Sequence, residues 1–229
     1  MKKLAHIFPG VGSQYVGMVK GIYEQYPIFR QTLDEASDVT GKDFPRLCFG
    51  DAKMSEISKL ENAQLLLFAL GTAFFRVYME TIGVAPVFCL GHSLGEYTAL
   101  CNAGVIPFAD GLEIVRRRGE IISEVAETVD GTMMWVINLD REIVENVCRE
   151  VSVEDGKVVV SAYDCPTQSS ISGHNSVIMT AAKMLQDQGA IVYPLKMSGP
   201  FHSPLMREAA NRMTEFLQEY APRFRRPKY

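Results

Sequence analysis

At 229 residues, 47% apolar and 22% charged, the chain has the size and balance of a folded globular protein, which excludes the disordered and fibrous classes. A net charge of −4 gives no electrostatic support for general nucleic-acid binding, and no apolar run approaches the length of a membrane span. Cys48, Cys89, Cys101, Cys148 and Cys165 are odd in number and scattered without a Cys-x-x-Cys pair, which argues against a disulfide framework and a zinc site. The stretch before Pro9-Gly10 is too short for a signal peptide, so a cytoplasmic address is expected.

In chain order, residues 4–8 predict a short buried strand that ends in the loop Pro9-Gly10-Val11-Gly12-Ser13-Gln14. Helical stretches follow over 15–26 and 28–39, and 61–79 reads as a long, mostly apolar helix carrying Gln64. The apolar run Pro86-Val87-Phe88-Cys89-Leu90 then leads into Gly91-His92-Ser93-Leu94-Gly95-Glu96 and a helix over 94–103. Asp110 is expected to cap a helix that runs to about residue 128. Beyond Thr132 the pattern becomes strand 133–139, helix 141–151, strands 157–162 and 169–172, helix 176–188 and strand 190–195. That β-α-β-β-α-β series is the signature of a ferredoxin-like unit inserted in a larger α/β domain.

A strand that ends in Gly-x-Ser-x-Gly and turns straight into a helix is a nucleophile elbow. Gly91 and Gly95 supply the room for a tight turn, Ser93 Oγ is left exposed at the end of the strand, and the helix directs its amide-rich N-terminus at the same point. The alternative is a Gly/Ser loop without chemistry. The legible strand before the motif and helix after it favour a nucleophilic serine.

The helix after Asp110 places Ile114, Val115, Ile121, Ile122, Val125 and Ala126 on one half of its circumference and Glu113, Glu120, Glu124 and Glu127 on the other. Arg116 and Arg117 fall at the margins of the acidic face, where solvated ion pairs form at little cost. Arg118 falls near the middle of the apolar face, where a guanidinium is costly unless it meets an anion. Two readings stand: a structural Arg–carboxylate bridge, or a bidentate dock for a substrate carboxylate.

A serine nucleophile needs a base, and the chain has four histidines. His6 lies within the first strand, His174 follows Gly173 at a turn, and His92 adjoins the nucleophile on a turn where neighbouring side chains diverge, which suits a hydrogen-bonded support. His202, in the loop Ser198-Gly199-Pro200-Phe201-His202-Ser203, is the candidate general base by elimination. No acidic residue is clearly placed to orient it.

Phe8-Pro9-Gly10-Val11-Gly12-Ser13-Gln14, Ala63-Gln64, Gly91-His92-Ser93-Leu94-Gly95-Glu96, Arg118-Gly119 and Phe201-His202-Ser203 together resemble the malonyl-CoA:acyl carrier protein transacylase family, which includes the acyltransferases of fatty acid and polyketide synthesis. The resemblance implies an α/β-hydrolase-like large subdomain, residues 1–130 and 197–229, with a ferredoxin-like small subdomain inserted at 131–196. It makes Ser93 the acylated nucleophile, His202 its base, and Arg118 the binder of the malonyl carboxylate. The backbone amides of Val11 and Leu94 become the oxyanion hole, and Gln64, Phe201 and His92 line the substrate site. Phe201 before the histidine looks like the malonyl-type pattern.

Three positions depart from the family pattern. Val11 replaces a glutamine, though a backbone amide serves equally well from valine. Asp164 replaces an asparagine, and Leu65 follows Gln64 where proline is usual. The family also continues for several tens of residues past the position of Tyr229, so a further polypeptide segment that completes the C-terminus is expected, and the chain alone is expected to be poorly soluble or weakly active. The basic end, Arg223, Arg225, Arg226 and Lys228, reads as a solvated tail or as a contact for an acidic carrier protein.

The resemblance implies acyl transfer from malonyl-CoA to the phosphopantetheine thiol of an acyl carrier protein, with the coenzyme A thioester as substrate and neither metal nor cofactor. Partners are therefore malonyl-CoA and the carrier protein, with no nucleic acid and no membrane. A proofreading acyl hydrolase is the rival enzyme, against which Arg118 speaks, and a non-catalytic docking remnant is the rival without chemistry.

Overall fold

The computed structural model describes residues 3–195 and 199–229. Its elements are β1 (Ala5–Phe8), α1 (Lys20–Gln25), α2 (Pro27–Thr40), α3 (Phe44–Phe49), α4 (Met54–Ile57), α5 (Leu60–Thr81), β2 (Phe88–Gly91), α6 (Gly95–Asn102) and α7 (Phe108–Ala126). There follow β3 (Gly131–Ile137), α8 (Arg141–Val151), β4 (Val158–Cys165), β5 (Gln168–His174), α9 (Asn175–Asp187), β6 (Ile191–Pro194) and α10 (Arg207–Tyr220). Two compact units emerge: Met1–Glu120 with Glu215–Tyr229, and Ile121–Thr214. The divisions fall within α7 and α10.

The first unit is built around α5. From Asn62 to Ala73 nearly every side chain is buried, as a helix apolar on all sides must be. Phe29, Leu33 and Ala36 of α2, Phe44, Leu47 and Cys48 of α3, and Phe108, Leu112 and Val115 of α7 complete the core around it. Phe68 stacks on Phe108 with ring centroids 5.6 Å apart. At Gly111 a Cβ would fall 2.3 Å from the Phe68 ring, so only glycine lets α7 lie this close. Burial within that core pushes the Cys48 thiol up to about 12.

β1 and β2 pair in parallel, in the register Ala5↔Phe88 to Phe8↔Gly91. The expectation of a buried first strand is corrected here. Phe8 is buried, but Ile7 is 72% exposed and its register partner Leu90 is 51% exposed. Alternation along a strand sends successive side chains to opposite faces; α6 packs against this pair, and Phe75 and Tyr78 of α5 meet His6 and Phe8.

Other boundaries also shift. The stretch 15–26 becomes helical only at Lys20, because Gly17 and Val19 take left-handed backbone (φ 83 and 66) and Gly17 N–H turns to the Cys48 carbonyl. α7 starts at Phe108, so Asp110 sits in its first turn and is no cap. It is buried and bonded to Arg223 at 2.5 Å. The basic end is tied down by its backbone, since Arg225 N–H and Lys228 N–H donate to the Val105 and Ala103 carbonyls, while its basic side chains stay exposed. The short helices α3 and α4 and the helix α10 are additions to the sequence reading.

The second unit holds the β-α-β-β-α-β series as expected. Its four strands form an antiparallel sheet in the order β4-β5-β3-β6, the ferredoxin-like arrangement. Met134, Val136 and Ile171 from the sheet meet Val144, Val147 and Cys148 of α8 and Ile178, Ala182 and Leu185 of α9. Asp140 caps α8 by accepting from Glu142 N–H.

Candidate active site

The turn after β2 carries the strongest backbone constraint. Ser93 has φ 52, in the left-handed region that costs a non-glycine residue about 1–2 kcal/mol. A Cβ at Gly91 would lie 2.0 Å from the Gly95 carbonyl carbon, and one at Gly95 would lie 2.1 Å from the Phe8 carbonyl oxygen. Both glycines are therefore required for the chain to turn from strand into helix beside β1. His92 N–H donates to Phe8 O at 3.0 Å and extends the β1–β2 ladder by one step.

The amides of Gly95, Glu96 and Tyr97 are engaged by the carbonyls of His92, Ser93 and Leu94. The Leu94 amide is not among those engaged within the turn. The expected amide-rich helix end thus loses the Gly95, Glu96 and Tyr97 amides to the turn itself.

Arg118 is half-buried on α7, and its Nη2 lies 3.5 Å from Ser93 Oγ, a long contact. Its Nη1 donates to the Gln64 amide oxygen on α5, and its Cζ stands 5.5 Å from the centroid of the Tyr97 ring. At Gly119 a Cβ would meet the Glu61 Cα at 3.0 Å, so the glycine after Arg118 keeps α7 tight against α5. Burial lowers the guanidinium's pKa, opposed by Tyr97 and by the charge of Glu96. An arginine remains a cation through such a shift.

Among the described residues no carboxylate pairs with Arg118. Its neighbours on the helix differ: Arg116 is tied to Glu113 and Glu120, and Arg117 to Glu120. The solvated ion pairs expected at the margins of the acidic face are present, whereas the structural bridge open for Arg118 is not. Gln64 is fully buried, and its amide nitrogen has no hydrogen-bond partner among the described residues. A desolvated cation and an unpartnered buried N–H donor therefore lie together beside the serine hydroxyl, an arrangement suited to an anion.

The loop before Ser93 folds over it. A Cβ at Gly10 would lie 3.0 Å from both the ring Nδ1 and the carbonyl oxygen of His92, so Pro9-Gly10-Val11 runs directly against the elbow. Gln14 is buried and its amide oxygen accepts from Gly12 N–H at 2.9 Å, while Ser13 Oγ donates to Gly10 O at 2.9 Å. Val11 packs on the first unit's core, and His92 is exposed at the rim.

Phe201 and His202 belong to the second unit. Phe201 is buried, and its ring would touch a Cβ at Gly199 (φ 140) at 3.0 Å. His202 is exposed and, at φ 56, shares with Ser93 the left-handed backbone. Ser203 fixes the loop by donating to Pro200 O at 2.6 Å and accepting from Leu205 N–H. Ser198, the first residue of that motif, lies outside the described residues.

Two other histidines have structural contacts. His6 sits edge-on to Phe75 and Tyr78, with its pKa lowered by burial, and His174 Nδ1 accepts from Lys157 N–H at 2.9 Å. Tyr97 is the site residue that sequence reasoning passed over. Its signal was its place one helical turn after Ser93, on the same side of α6.

Among the described residues there is no cluster of His, Cys, Asp and Glu that could hold a metal ion, and no helix is long and apolar enough to cross a membrane.

The acyl transferase domain family matches residues 5–229, which sets the class. Malonyl CoA-acyl carrier protein transacylases from Bacillus subtilis (strain 168) and Escherichia coli (strain K12) are 38% and 36% identical over 95% and 93% of this chain, which spans 68% and 69% of their length. A third, from Bacillus subtilis, is 36% identical, and the chain spans 55% of it. The chain belongs to the malonyl-CoA:acyl carrier protein transacylase family. Among solved structures, a malonyl-transacylase in complex with its type II polyketide acyl carrier protein is 34% identical, with a TM-score of 0.94 over 100% of this chain and 73% of that one. FabD from Acinetobacter baumannii is 32% identical, with a TM-score of 0.91 over 99% and 71%.

Proposed function

We propose that the chain carries the acyltransferase chemistry of its family, moving a malonyl group from coenzyme A to the phosphopantetheine thiol of an acyl carrier protein through an ester on Ser93. The observation that carries this reading is Arg118, a half-buried cation without a paired carboxylate among the described residues, 3.5 Å from Ser93 Oγ. That is where the free carboxylate of a malonyl ester on Ser93 needs a partner. The family membership and a relative solved with its carrier protein support the same substrates.

In this mechanism His202 takes the proton from Ser93 Oγ as the oxygen bonds to the thioester carbonyl carbon. The carbonyl oxygen becomes an oxyanion, held by the backbone amides of Val11 and Leu94. The C–S bond then breaks, and the departing coenzyme A sulfur takes the proton from His202. In the second half His202 removes the proton of the carrier-protein thiol, whose sulfur attacks the ester carbonyl, and the proton returns to Ser93 Oγ. The exchange is redox-neutral, and these residues supply each proton transfer it requires without a cofactor. Gln64, Phe201 and His92 line the acyl site, and the reaction belongs to the cytoplasm, where coenzyme A thioesters and carrier proteins meet.

Incubation with malonyl-CoA followed by intact mass measurement tests the reading. The protein should gain one malonyl group, lose it to added carrier protein, and gain none as Ser93→Ala. Arg118→Ala should lower malonyl transfer about 10- to 100-fold relative to acetyl transfer, since a charge-assisted contact contributes about 1.5–3 kcal/mol and only malonyl has the carboxylate. Release of malonate to water in place of transfer would identify a hydrolase.

A further inference from the structure

We propose that Tyr97 is a positioning residue for Arg118, and that its ring face sets how strongly the site prefers a carboxylated acyl group over an uncharged one. The inference rests on the function proposed above and extends it to a residue outside the sequence motif's apparent chemistry.

The side chains that touch the Arg118 guanidinium are neutral, and the Glu96 carboxylate acts on it from further off. Its Nη1 donates to the Gln64 amide oxygen, its Cζ stands 5.5 Å from the Tyr97 ring centroid, and its Nη2 faces Ser93 Oγ at 3.5 Å. A cation within about 6 Å of an aromatic centroid is attracted by the ring's negative face, most strongly when it is withdrawn from water. Such a contact orients the guanidinium without neutralising it. A carboxylate in the same place would hold Arg118 more tightly but would compete with any anionic substrate for it.

The helix makes this geometry dependable. Tyr97 follows Ser93 by four residues, and its N–H is bonded to Leu94 O at 3.1 Å in the first turn of α6. The same strained turn that presents the serine therefore also fixes the ring. Tyr97 is half-buried and packs on the core of the first unit, so the ring has a firm backing. Gln64 and Tyr97 together direct the guanidinium toward Ser93 Oγ.

Leucine at position 97 would keep an apolar contact with the core and remove the ring face. Phenylalanine would keep the face and remove the hydroxyl, which also acts on Arg118 as a hydrogen-bond partner. Transfer of malonyl and of acetyl from coenzyme A to carrier protein is measured for the wild type, Tyr97→Leu and Tyr97→Phe. In parallel, binding of free malonate and free acetate is followed by calorimetry, and thermal unfolding checks that each variant is folded.

Tyr97→Leu should lower the malonyl-to-acetyl ratio about tenfold, through a raised KM for malonyl-CoA, and weaken malonate binding in step. Tyr97→Phe should restore both to within about twofold of wild type. An unchanged ratio in Tyr97→Leu, an equal loss for both acyl groups, or a Tyr97→Phe as impaired as Tyr97→Leu would each overturn the proposal. If Tyr97→Leu fails to fold, Tyr97→Trp takes its place. The indole keeps the aromatic face, so a malonyl preference retained there supports the proposal, and one lost in a folded Tyr97→Trp overturns it. A wild type that transfers no malonyl, yet binds malonate in a Tyr97-dependent way, would refute the transferase reading alone and leave the role of Tyr97 standing.

Discussion

Ser93 shows how a reactive residue is held in a conformation that its side chain disfavours. Its φ of 52 belongs to the left-handed region, where a Cβ crowds the following carbonyl oxygen. The cost is met by surroundings that leave the turn no alternative: β2 on one side, α6 on the other, and two glycines whose Cβ atoms would collide with backbone. Removing the Cβ should therefore release strain. Ser93→Gly is expected to be more stable than Ser93→Ala by about 1 kcal/mol, offset partly by the greater freedom of glycine in the unfolded chain. Neither variant should accept an acyl group. Urea denaturation of the two proteins checks this, and equal midpoints would mean that the turn carries no strain. His202 shares the left-handed backbone at φ 56. Of four described non-glycine residues with positive φ, two are the proposed nucleophile and base, which fits the tendency of strained backbone to gather at functional sites.

At the scale of elements, close approach matters more than composition. Gly95 begins α6 with its Cα against the Phe8 and Pro9 carbonyls, and a Cβ there would sit 2.1 Å from Phe8 O. Because the obstacle is backbone of the adjoining strand and loop, Gly95→Ala should destabilise the protein by about 3 kcal/mol or more. Gly21 is the control. It lies inside α1 with nothing within 4 Å of a Cβ, so Gly21→Ala should stabilise by about 0.5–1 kcal/mol. Chemical denaturation of the two variants gives opposite shifts in midpoint if close approach governs the elbow. The elbow was legible in the sequence because glycine spacing, a preceding apolar run and a following helix all agree on one structure. The ferredoxin-like series was legible for the same reason, with each strand and helix carrying its own periodicity. Local pattern could not show that Ile7 and Leu90 would be exposed on their strands, because burial depends on what packs across a sheet. Nor could it show that Asp110 would bind Arg223, more than a hundred positions along the chain, since such a pairing leaves no local trace. The sequence left Arg118 undecided between a carboxylate bridge and a substrate dock, and the neutral company of Gln64 and Tyr97 decides against the bridge.

Across the described residues, most of the buried apolar side chains belong to one of two clusters. One gathers around α5 and runs from Met18 to Val115; the other lies between the antiparallel sheet and α8 and α9, from Met134 to Ala190. Each unit therefore has a core of its own, and the divisions fall within α7 and α10. A cavity made in one core should then act first on that unit. Ile171 is fully buried in β5, among residues of the second cluster only. Replacing it with alanine removes several methyl and methylene groups from a packed interior, at a cost of about 2–5 kcal/mol. Native-state hydrogen exchange distinguishes the two ways that this loss can spread. If the cores open separately, amides of β3, β4 and β5 should exchange faster in Ile171→Ala by the full measure of the lost stability, while those of Leu65 to Ala69 in α5 keep wild-type protection. Phe68→Ala, in the first core, should give the opposite pattern at a cost of about 3–5 kcal/mol. Equal acceleration in both units for either variant would show instead that the chain opens as one cooperative body, with the continuous helices α7 and α10 transmitting the loss from one core to the other.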